Sequence, residues 1–74
     1  MPAVRPQEHD LVALLVDIPE HDLSAGDTGA VVHCYPQAEA YEVEFLDAGG
    51  KTKAVATLEG HQILKLNWAP VNIP

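Results

Sequence analysis

The sequence predicts a small all-β protein in which five short strands form a barrel. Three observations support this prediction. Residues 41–45 alternate apolar and acidic side chains, as in a strand with one buried face. A β-branched run at residues 30–32 directly follows the glycine-containing segment 26–29. Residues 47–50 end in two glycines, which is typical of a tight hairpin turn.

The size and composition of the chain favour one domain with a small core. The chain has 74 residues, of which 47% are hydrophobic. Cys34 is the single cysteine, so no disulfide framework supports the fold. Because so small a core leaves much aliphatic surface uncovered, we expect another chain to cover part of it.

The charge of the chain excludes some classes of partner. Eleven acidic residues and four Lys or Arg residues give a formal net charge of −7. This acidic balance disfavours binding to nucleic acid or to an anionic membrane, since both need clustered cations. The amino end has no signal-peptide pattern, and the longest apolar run, residues 11–16, is far below the roughly 20 residues of a membrane span. We therefore expect a cytoplasmic protein.

Three segments are predicted along the chain. Residues 1–9 contain two prolines and form a loose amino-terminal arm, residues 10–66 form the barrel, and residues 67–74 form a carboxy-terminal tail. Within the barrel, residues 11–16 are apolar at successive positions. A strand of this kind is covered on both faces, here by the core and by a loop or a neighbouring subunit.

The long segment 17–27 is predicted to be a loop. It contains four acidic residues, with Ile18 and Leu23 as its large apolar side chains. We expect Ile18 and Leu23 to tuck back under the loop, and we also consider them candidates for contact with a partner. Gly26 and Gly29 are predicted to form the turn into the second strand because glycine tolerates positive φ.

Three further strands follow as hairpins. They are predicted over residues 28–35, 41–46 and 51–58, with Gly49 and Gly50 in the turn between the last two. We expect Lys51 and Lys53 to lie across this hairpin from the acidic face of residues 41–46. Cys34 is predicted to be a buried core thiol.

The last elements complete the predicted architecture. Residues 59–62 interrupt the sheet with a 3₁₀ turn, and residues 63–66 form a short fifth strand. Five strands, a long first loop and a turn before the last strand predict an SH3-like barrel. A five-stranded oligonucleotide-binding barrel would need a helix between strands three and four, where residues 47–51 leave no room.

Five segments, in order, resemble a small bacterial domain-of-unknown-function family, number 4926. They are residues 11–14, 18–20, 26–32, 41–45 and 57–58, within a similarity that spans about residues 10–66. The resemblance implies an SH3-like fold and no established activity. The element Gly-Asp-x-Gly-x-Val-Val at residues 26–32 also resembles the KOW motif of SH3-like ribosomal and transcription-factor domains. That likeness implies RNA binding, but the basic and aromatic side chains that would support it are missing.

The reactive side chains form no recognisable catalytic pattern. His21, His33 and His61 are weak candidates for a metal site, since no pair has the spacing of a local chelate. Cys34 has no activating base at a recognisable spacing. The sequence therefore predicts a protein without enzymatic activity and without a cofactor.

The tail carries the remaining candidate residues for binding. Trp68, Val71 and Ile73 are apolar, and tryptophan is enriched at interaction hot spots. The tail either plugs its own barrel or contacts a second protomer or a partner groove. We expect a protein-interaction module that forms a homo-oligomer or binds a protein partner. A metal-binding or small-ligand-binding accessory protein is the alternative, and a nucleic-acid-binding KOW-like domain is the least favoured.

Overall fold

Five antiparallel strands and two 3₁₀ turns build the part of the chain that the structure, a computed structural model, describes, namely residues 5–66. The strands, numbered in chain order, are β1 (Leu11–Leu14), β2 (Thr28–Tyr35), β3 (Ala40–Leu46), β4 (Thr52–Glu59) and β5 (Ile63–Lys65). The 3₁₀ turns are Pro19–His21 and Gly60–Gln62, and residues 5–66 contain no α-helix. The predicted tail with Trp68, Val71 and Ile73 lies outside the described residues.

The strands form a single antiparallel sheet in the order β4-β3-β2-β1-β5. This confirms the predicted all-β class and five strands. The predicted closure into a barrel is not confirmed, since β4 and β5 are the edges of the sheet within the described residues. Hairpin pairing explains most of this order, because β2, β3 and β4 are joined by short turns that place consecutive strands side by side.

One face of the curved sheet carries the core. The alternation in β3 places Tyr41, Val43 and Phe45 on that face, with Glu42 and Glu44 on the other. β1 and β2 contribute Val12, Leu14 and Val31, and the later elements contribute Ala56, Leu58 and Ile63. All these side chains are buried and form one cluster with Ile18 and Leu23.

The first loop, residues 15–27, covers one end of the core. Ile18 and Leu23 pair across it in an isolated β-bridge and are only 8% and 3% exposed. Asp17 helps to hold the loop by accepting a hydrogen bond from the Ala25 backbone N–H at 2.8 Å. Ile18 and Leu23 are therefore core residues, and they do not form the partner-binding surface that we predicted for them.

Two irregularities in the pairing change which side chains share a face. The β2–β3 register shifts between Val31 and His33, and the β3–β4 register shifts between Phe45 and Leu46. The first shift moves Cys34 from the face of Ala30 and Val32 to the side of the core. Cys34 is consequently half-buried against the core, whereas Val32 faces solvent.

The second irregularity changes the expected pairing of charges. Val55 lies opposite Glu44 and Thr57 lies opposite Glu42, so neither predicted lysine faces these acids. Lys53 instead extends toward the first loop, where its Nζ lies 3.9 Å from Asp22 Oδ2. The expectation that Lys51 and Lys53 face the acidic side of β3 is wrong.

The glycines of the predicted turns have different roles. Gly26 and Gly50 adopt positive φ angles of 95° and 84°, which glycine adopts without a Cβ clash. Gly49 lies in the β3–β4 turn, where its N–H donates to Asp47 Oδ1 at 2.8 Å. Gly29 lies inside β2 and is buried against β3, so it is needed for close strand approach and not for the turn.

The residues just before β1 contact the sheet. The His9 N–H donates to the Val31 carbonyl at 2.7 Å, and the Val31 N–H donates to the Asp10 carbonyl at 2.9 Å. Arg5 Nη2 lies 2.8 Å from Glu39 Oε1. The part of the predicted loose arm that the structure describes, from Arg5 onward, is thus attached to β2 and to the β2–β3 turn.

Candidate functional site

The most distinctive surface is the side of the sheet that faces away from the core, which we call the outer face. Strand alternation places large apolar side chains there because β1 and β5 are apolar at successive positions. These side chains are 39% to 55% exposed. They are Leu11, Leu15, Val32, Leu46, Val55 and Leu64.

Strand pairing makes these side chains neighbours. Leu64 of β5 lies opposite Ala13 of β1, and Leu11 lies opposite Ala30 of β2. Along β1, Leu11 precedes Ala13 by two residues, and Leu15 follows it just beyond the strand end. The Leu15 N–H donates to the Gln62 carbonyl, which keeps Leu15 beside the start of β5. Directly opposed side chains on one face of a sheet approach within about 5 Å between Cβ atoms, so this part of the outer face forms a continuous apolar surface.

Two carboxylates lie in the middle of the outer face. Glu44 lies between Ala30 and Val55, and Glu42 lies opposite Thr57. Thr57 Oγ1 donates to Glu42 Oε1 at 2.6 Å, and Thr52 Oγ1 donates to Glu44 Oε2. These hydrogen bonds hold both carboxylates against the sheet, where each is half-buried.

The predicted metal-site candidates lie on different elements of the fold. His21 ends the first 3₁₀ turn, His33 lies on β2 with its Nδ1 4.0 Å from Glu8 Oε2, and His61 lies 3.4 Å from Glu59 Oε2. Within residues 5–66, no three His, Cys, Asp or Glu side chains come close enough to hold a metal ion. The fold therefore does not bring His21, His33 and His61 together.

Cys34 is the single thiol, and its surroundings favour the protonated form. Burial raises the pKa of Cys34, and the nearby carboxylates of Glu8 and Asp10 raise it further. Its Sγ lies 3.9 Å from the Pro6 carbonyl oxygen. A thiol that resists ionisation is a poor nucleophile, so this environment does not activate Cys34 for covalent chemistry.

Three open clefts at the margins of the sheet, within residues 5–66, contain titratable side chains. The first, of about 460 Å³, lies between the first loop and the β3–β4 turn and includes Asp27, Asp47 and Lys53. Asp27 accepts from the Ser24 N–H and Asp47 accepts from the Gly49 and Lys51 N–H groups, so both carboxylates serve loop structure.

The other two clefts are of similar size. One, of about 480 Å³, lies beside the Arg5–Glu39 ion pair and includes Tyr41 and His61. The other, of about 420 Å³, lies along the end of β2, where the His33 and Tyr35 rings pack edge to face with centroids 4.6 Å apart. This last cleft also includes Cys34, but within residues 5–66 its thiol is hydrogen-bonded to the Pro6 carbonyl and not to His33. A nucleophile joined to its base, as covalent catalysis requires, is therefore not formed there.

Sequence reasoning identified only part of the outer face. The uninterrupted apolar run at residues 11–16 predicted a strand covered on both faces, without indicating which of its side chains face away from the core. Val32 was missed because alternation groups it with Cys34, whereas the irregularity after buried Val31 moves Cys34 alone to the core side. Leu46, Val55 and Leu64 could have been found from alternation alone, since each is next to a residue of the core side.

Comparison with known proteins assigns a family but no activity. The sequence model of a family described as "Domain of unknown function (DUF4926)" matches residues 8–65. This match confirms the resemblance of the sequence to family 4926. No curated protein and no solved structure matches the chain at a significant level. Within residues 5–66, no helix has the length and apolar character needed to span a membrane.

Proposed function

This chain belongs to the DUF4926 family, and we propose that it is a non-enzymatic protein-interaction module that binds a second copy of itself or another protein. The observation that carries the proposal is the apolar surface of the outer face, which the rest of residues 5–66 leaves exposed. Monomeric soluble proteins rarely expose a large contiguous apolar patch without using it for contact. Burying such surface contributes roughly 25 cal/mol per Å², which makes it the main source of affinity in most protein associations.

The proposal includes an SH3-like architecture. The chain order of five strands, a long first loop and a 3₁₀ turn before β5 supports it, as does the sheet order β4-β3-β2-β1-β5. In such a small sheet the interior is filled by side chains, here by the cluster around Val43 and Phe45. The interior thus has no room for a ligand, and binding falls to the outside.

The charges favour a protein partner over a nucleic acid. Arg5, Lys53 and Lys65 are each within 4.0 Å of a carboxylate, at Glu39, Asp22 and Asp10. A cation that already neutralises a neighbouring acid contributes little to phosphate binding. Anionic lipid would also need cations that are not already paired with a carboxylate. The chain is therefore a cytoplasmic protein in this proposal.

Photo-crosslinking in cells that naturally produce the protein tests the proposal. A benzophenone amino acid replaces Leu15, Leu64 or Val55 on the outer face, or Glu20 or Gln37 at exposed positions elsewhere. We expect specific protein adducts from the three outer-face positions and none from the two control positions. The mass of the adduct distinguishes a second copy from another protein.

The opposite pattern would contradict the proposal. Adducts that form equally from Glu20 and Gln37 would show that the outer face has no special role. Absence of adducts from all three outer-face positions, in variants that melt cooperatively, would show that this surface is not used for contact.

A further inference from the structure

We propose that the partner of the outer face is a cationic protein segment with apolar side chains, and not a second copy of this chain. This inference rests on the proposed function, because it names the chemistry of the partner for the same surface. Two features of the outer face carry it. One is the placement of Glu44 between apolar side chains, with Glu42 on the same face of β3, and the other is the absence of lysine and arginine from the outward strand positions of residues 5–66.

Glu44 is built into the apolar surface, whereas Glu42 lies at its edge, between His33 and Thr57. Glu44 has Ala30 on one side and Val55 on the other, and Ala30 itself lies opposite Leu11. A partner that covers Leu11 and Val55 therefore also covers the carboxylate of Glu44. Burying an ionised carboxylate without an opposite charge is costly, so a partner that covers this surface must supply a cation or a hydrogen-bond donor there.

The threonine hydrogen bonds strengthen this requirement. Thr57 and Thr52 each donate to one oxygen of Glu42 and Glu44, respectively. In residues 5–66 no lysine, arginine or histidine nitrogen lies within ion-pair distance of either glutamate. The second oxygen of each carboxylate is thus left for a donor from outside, in a fixed position on the sheet.

The lysine and arginine side chains of this chain do not pair with Glu42 or Glu44. Lys53 is at the irregular position of β4 with its ammonium beside Asp22, and Lys65 lies opposite Val12, on the side of the core. Arg5 is held by Glu39 before β1, and Lys51 lies in the β3–β4 turn. All four Lys and Arg residues of the sequence are accounted for in this way.

These placements argue against a second copy as the occupant. Two outer faces packed together would bring four carboxylates into one interface without a lysine or arginine from either outer face. His33 is opposite Glu42 in the strand register, but its nearest carboxylate is that of Glu8. Each chain also has a formal net charge of −7, so self-association works against long-range repulsion. A cationic partner avoids both problems, since it is attracted at long range and pairs with Glu42 and Glu44 on contact.

An NMR titration of the ¹⁵N-labelled full chain tests the inference with synthetic peptides of equal length. The probe peptide alternates lysine and valine, and two comparison peptides alternate glutamate with valine or lysine with serine. The variants are the Glu42→Gln/Glu44→Gln pair and, as a matched control, Glu20→Gln at an exposed position away from the outer face. Glutamine keeps the acceptor oxygens for Thr52 and Thr57, and melting curves confirm folding.

We expect the lysine–valine peptide to shift the amide resonances of Leu11, Val55 and Leu64. The affinity should fall about three- to tenfold in the double variant and stay unchanged in Glu20→Gln, as for two ion pairs of ordinary strength. Binding should also weaken as salt is added. The glutamate–valine and lysine–serine peptides should each bind at least about tenfold more weakly, because each lacks one half of the required chemistry.

Each contrary result overturns the inference in a recognisable way. Equal binding of the glutamate–valine peptide would show that charge does not select the partner, and equal binding of the lysine–serine peptide would show unspecific attraction to an acidic chain. Outer-face resonances that shift with protein concentration alone would identify a second copy as the occupant. That last result would overturn this inference while supporting the proposed function, which the crosslinking experiment tests separately.

Discussion

Gly29 of β2 lies directly opposite Phe45 of β3, and the phenyl ring occupies the space that a side chain at residue 29 would need. A Cβ atom placed on Gly29 would lie 2.9 Å from Phe45 Cδ2, 2.8 Å from Val43 Cγ1 and 2.7 Å from the Glu44 carbonyl oxygen. The backbone oxygen cannot move without disturbing the β2–β3 pairing. Gly29 thus lets the two strands close over the largest fully buried side chain of the core.

We therefore expect Gly29→Ala to lower the free energy of unfolding by about 1–3 kcal/mol, the usual cost of overpacking a core. Urea denaturation measures the change. Gly60→Ala is the matched control, since a Cβ there would meet its nearest neighbour, Tyr41 Cε1, at 3.7 Å, an ordinary contact. Equal effects of the two substitutions would show that general glycine flexibility, and not the contact with Phe45, determines the result.

The role of Gly29 also shows where sequence reasoning ends. The alternation in β3, the hairpin at Gly49 and Gly50 and the 3₁₀ turn before β5 depend on local chemistry, so these elements could be predicted. The need for glycine at residue 29 depends on Phe45, which is distant in sequence but adjacent through strand pairing. The sequence marks the glycine but does not show why it is there.

The outer face, like Gly29, could be predicted only in part from the sequence. The apolar run at residues 11–16 is visible in the sequence, but it does not show which of its leucines face outward. The position of Cys34 on the core side and the placement of Lys53 away from Glu44 both follow from one-residue irregularities in strand pairing. Such an irregularity reverses which face every later side chain occupies, and it has no signature in composition or periodicity.

Asp47 is predicted to stabilise the β3–β4 hairpin. Its Oδ1 accepts hydrogen bonds from the Gly49 N–H at 2.8 Å and the Lys51 N–H at 3.0 Å. We expect Asp47→Ala to lower the free energy of unfolding by about 1–2 kcal/mol, because two turn N–H groups lose their acceptor. Asp47→Asn keeps an acceptor oxygen and should recover most of the loss. An asparagine variant as unstable as the alanine variant would point to the charge of Asp47 instead of its hydrogen bonds.

Cys34 is predicted to react more slowly in the folded chain than in the unfolded chain. Burial and the carboxylates of Glu8 and Asp10 raise the pKa of its thiol, so less reactive thiolate is present at a given pH. We expect the pH profile of iodoacetamide alkylation to rise at a higher pH for the native protein than for the protein in urea. Because the chain has one cysteine, mass spectrometry follows the reaction directly. Coincident profiles would contradict the prediction.

The same shift predicts how stability depends on pH. The folded thiol holds its proton more tightly than the unfolded thiol, so raising the pH through the pKa of the unfolded thiol favours unfolding. The free energy of unfolding should therefore decline at alkaline pH by an amount that is absent in Cys34→Ser. An equal decline in both proteins would assign the effect to other groups.

Leu23 and Leu15 offer a test of how the first loop is held, because the same substitution can be made at a buried and at an exposed leucine. Leu23 is 3% exposed, and Leu15 is 51% exposed on the outer face. We expect Leu23→Ala to cost about 2–4 kcal/mol in the free energy of unfolding, through lost burial and the cavity that remains. Leu15→Ala should cost less than about 1 kcal/mol.

Hydrogen exchange shows whether Leu23→Ala destabilises the whole sheet or the loop alone. The Leu23 N–H donates to the Ile18 carbonyl, and the Ala25 N–H donates to Asp17, so both amides report on the loop. If the loop unfolds together with the core, Leu23→Ala lowers the free energy of opening by the same amount at these two amides and at the Val43 amide of β3. Faster exchange confined to Leu23 and Ala25 would show that the loop opens independently, and Leu23 would then stabilise the loop without contributing to the stability of the sheet.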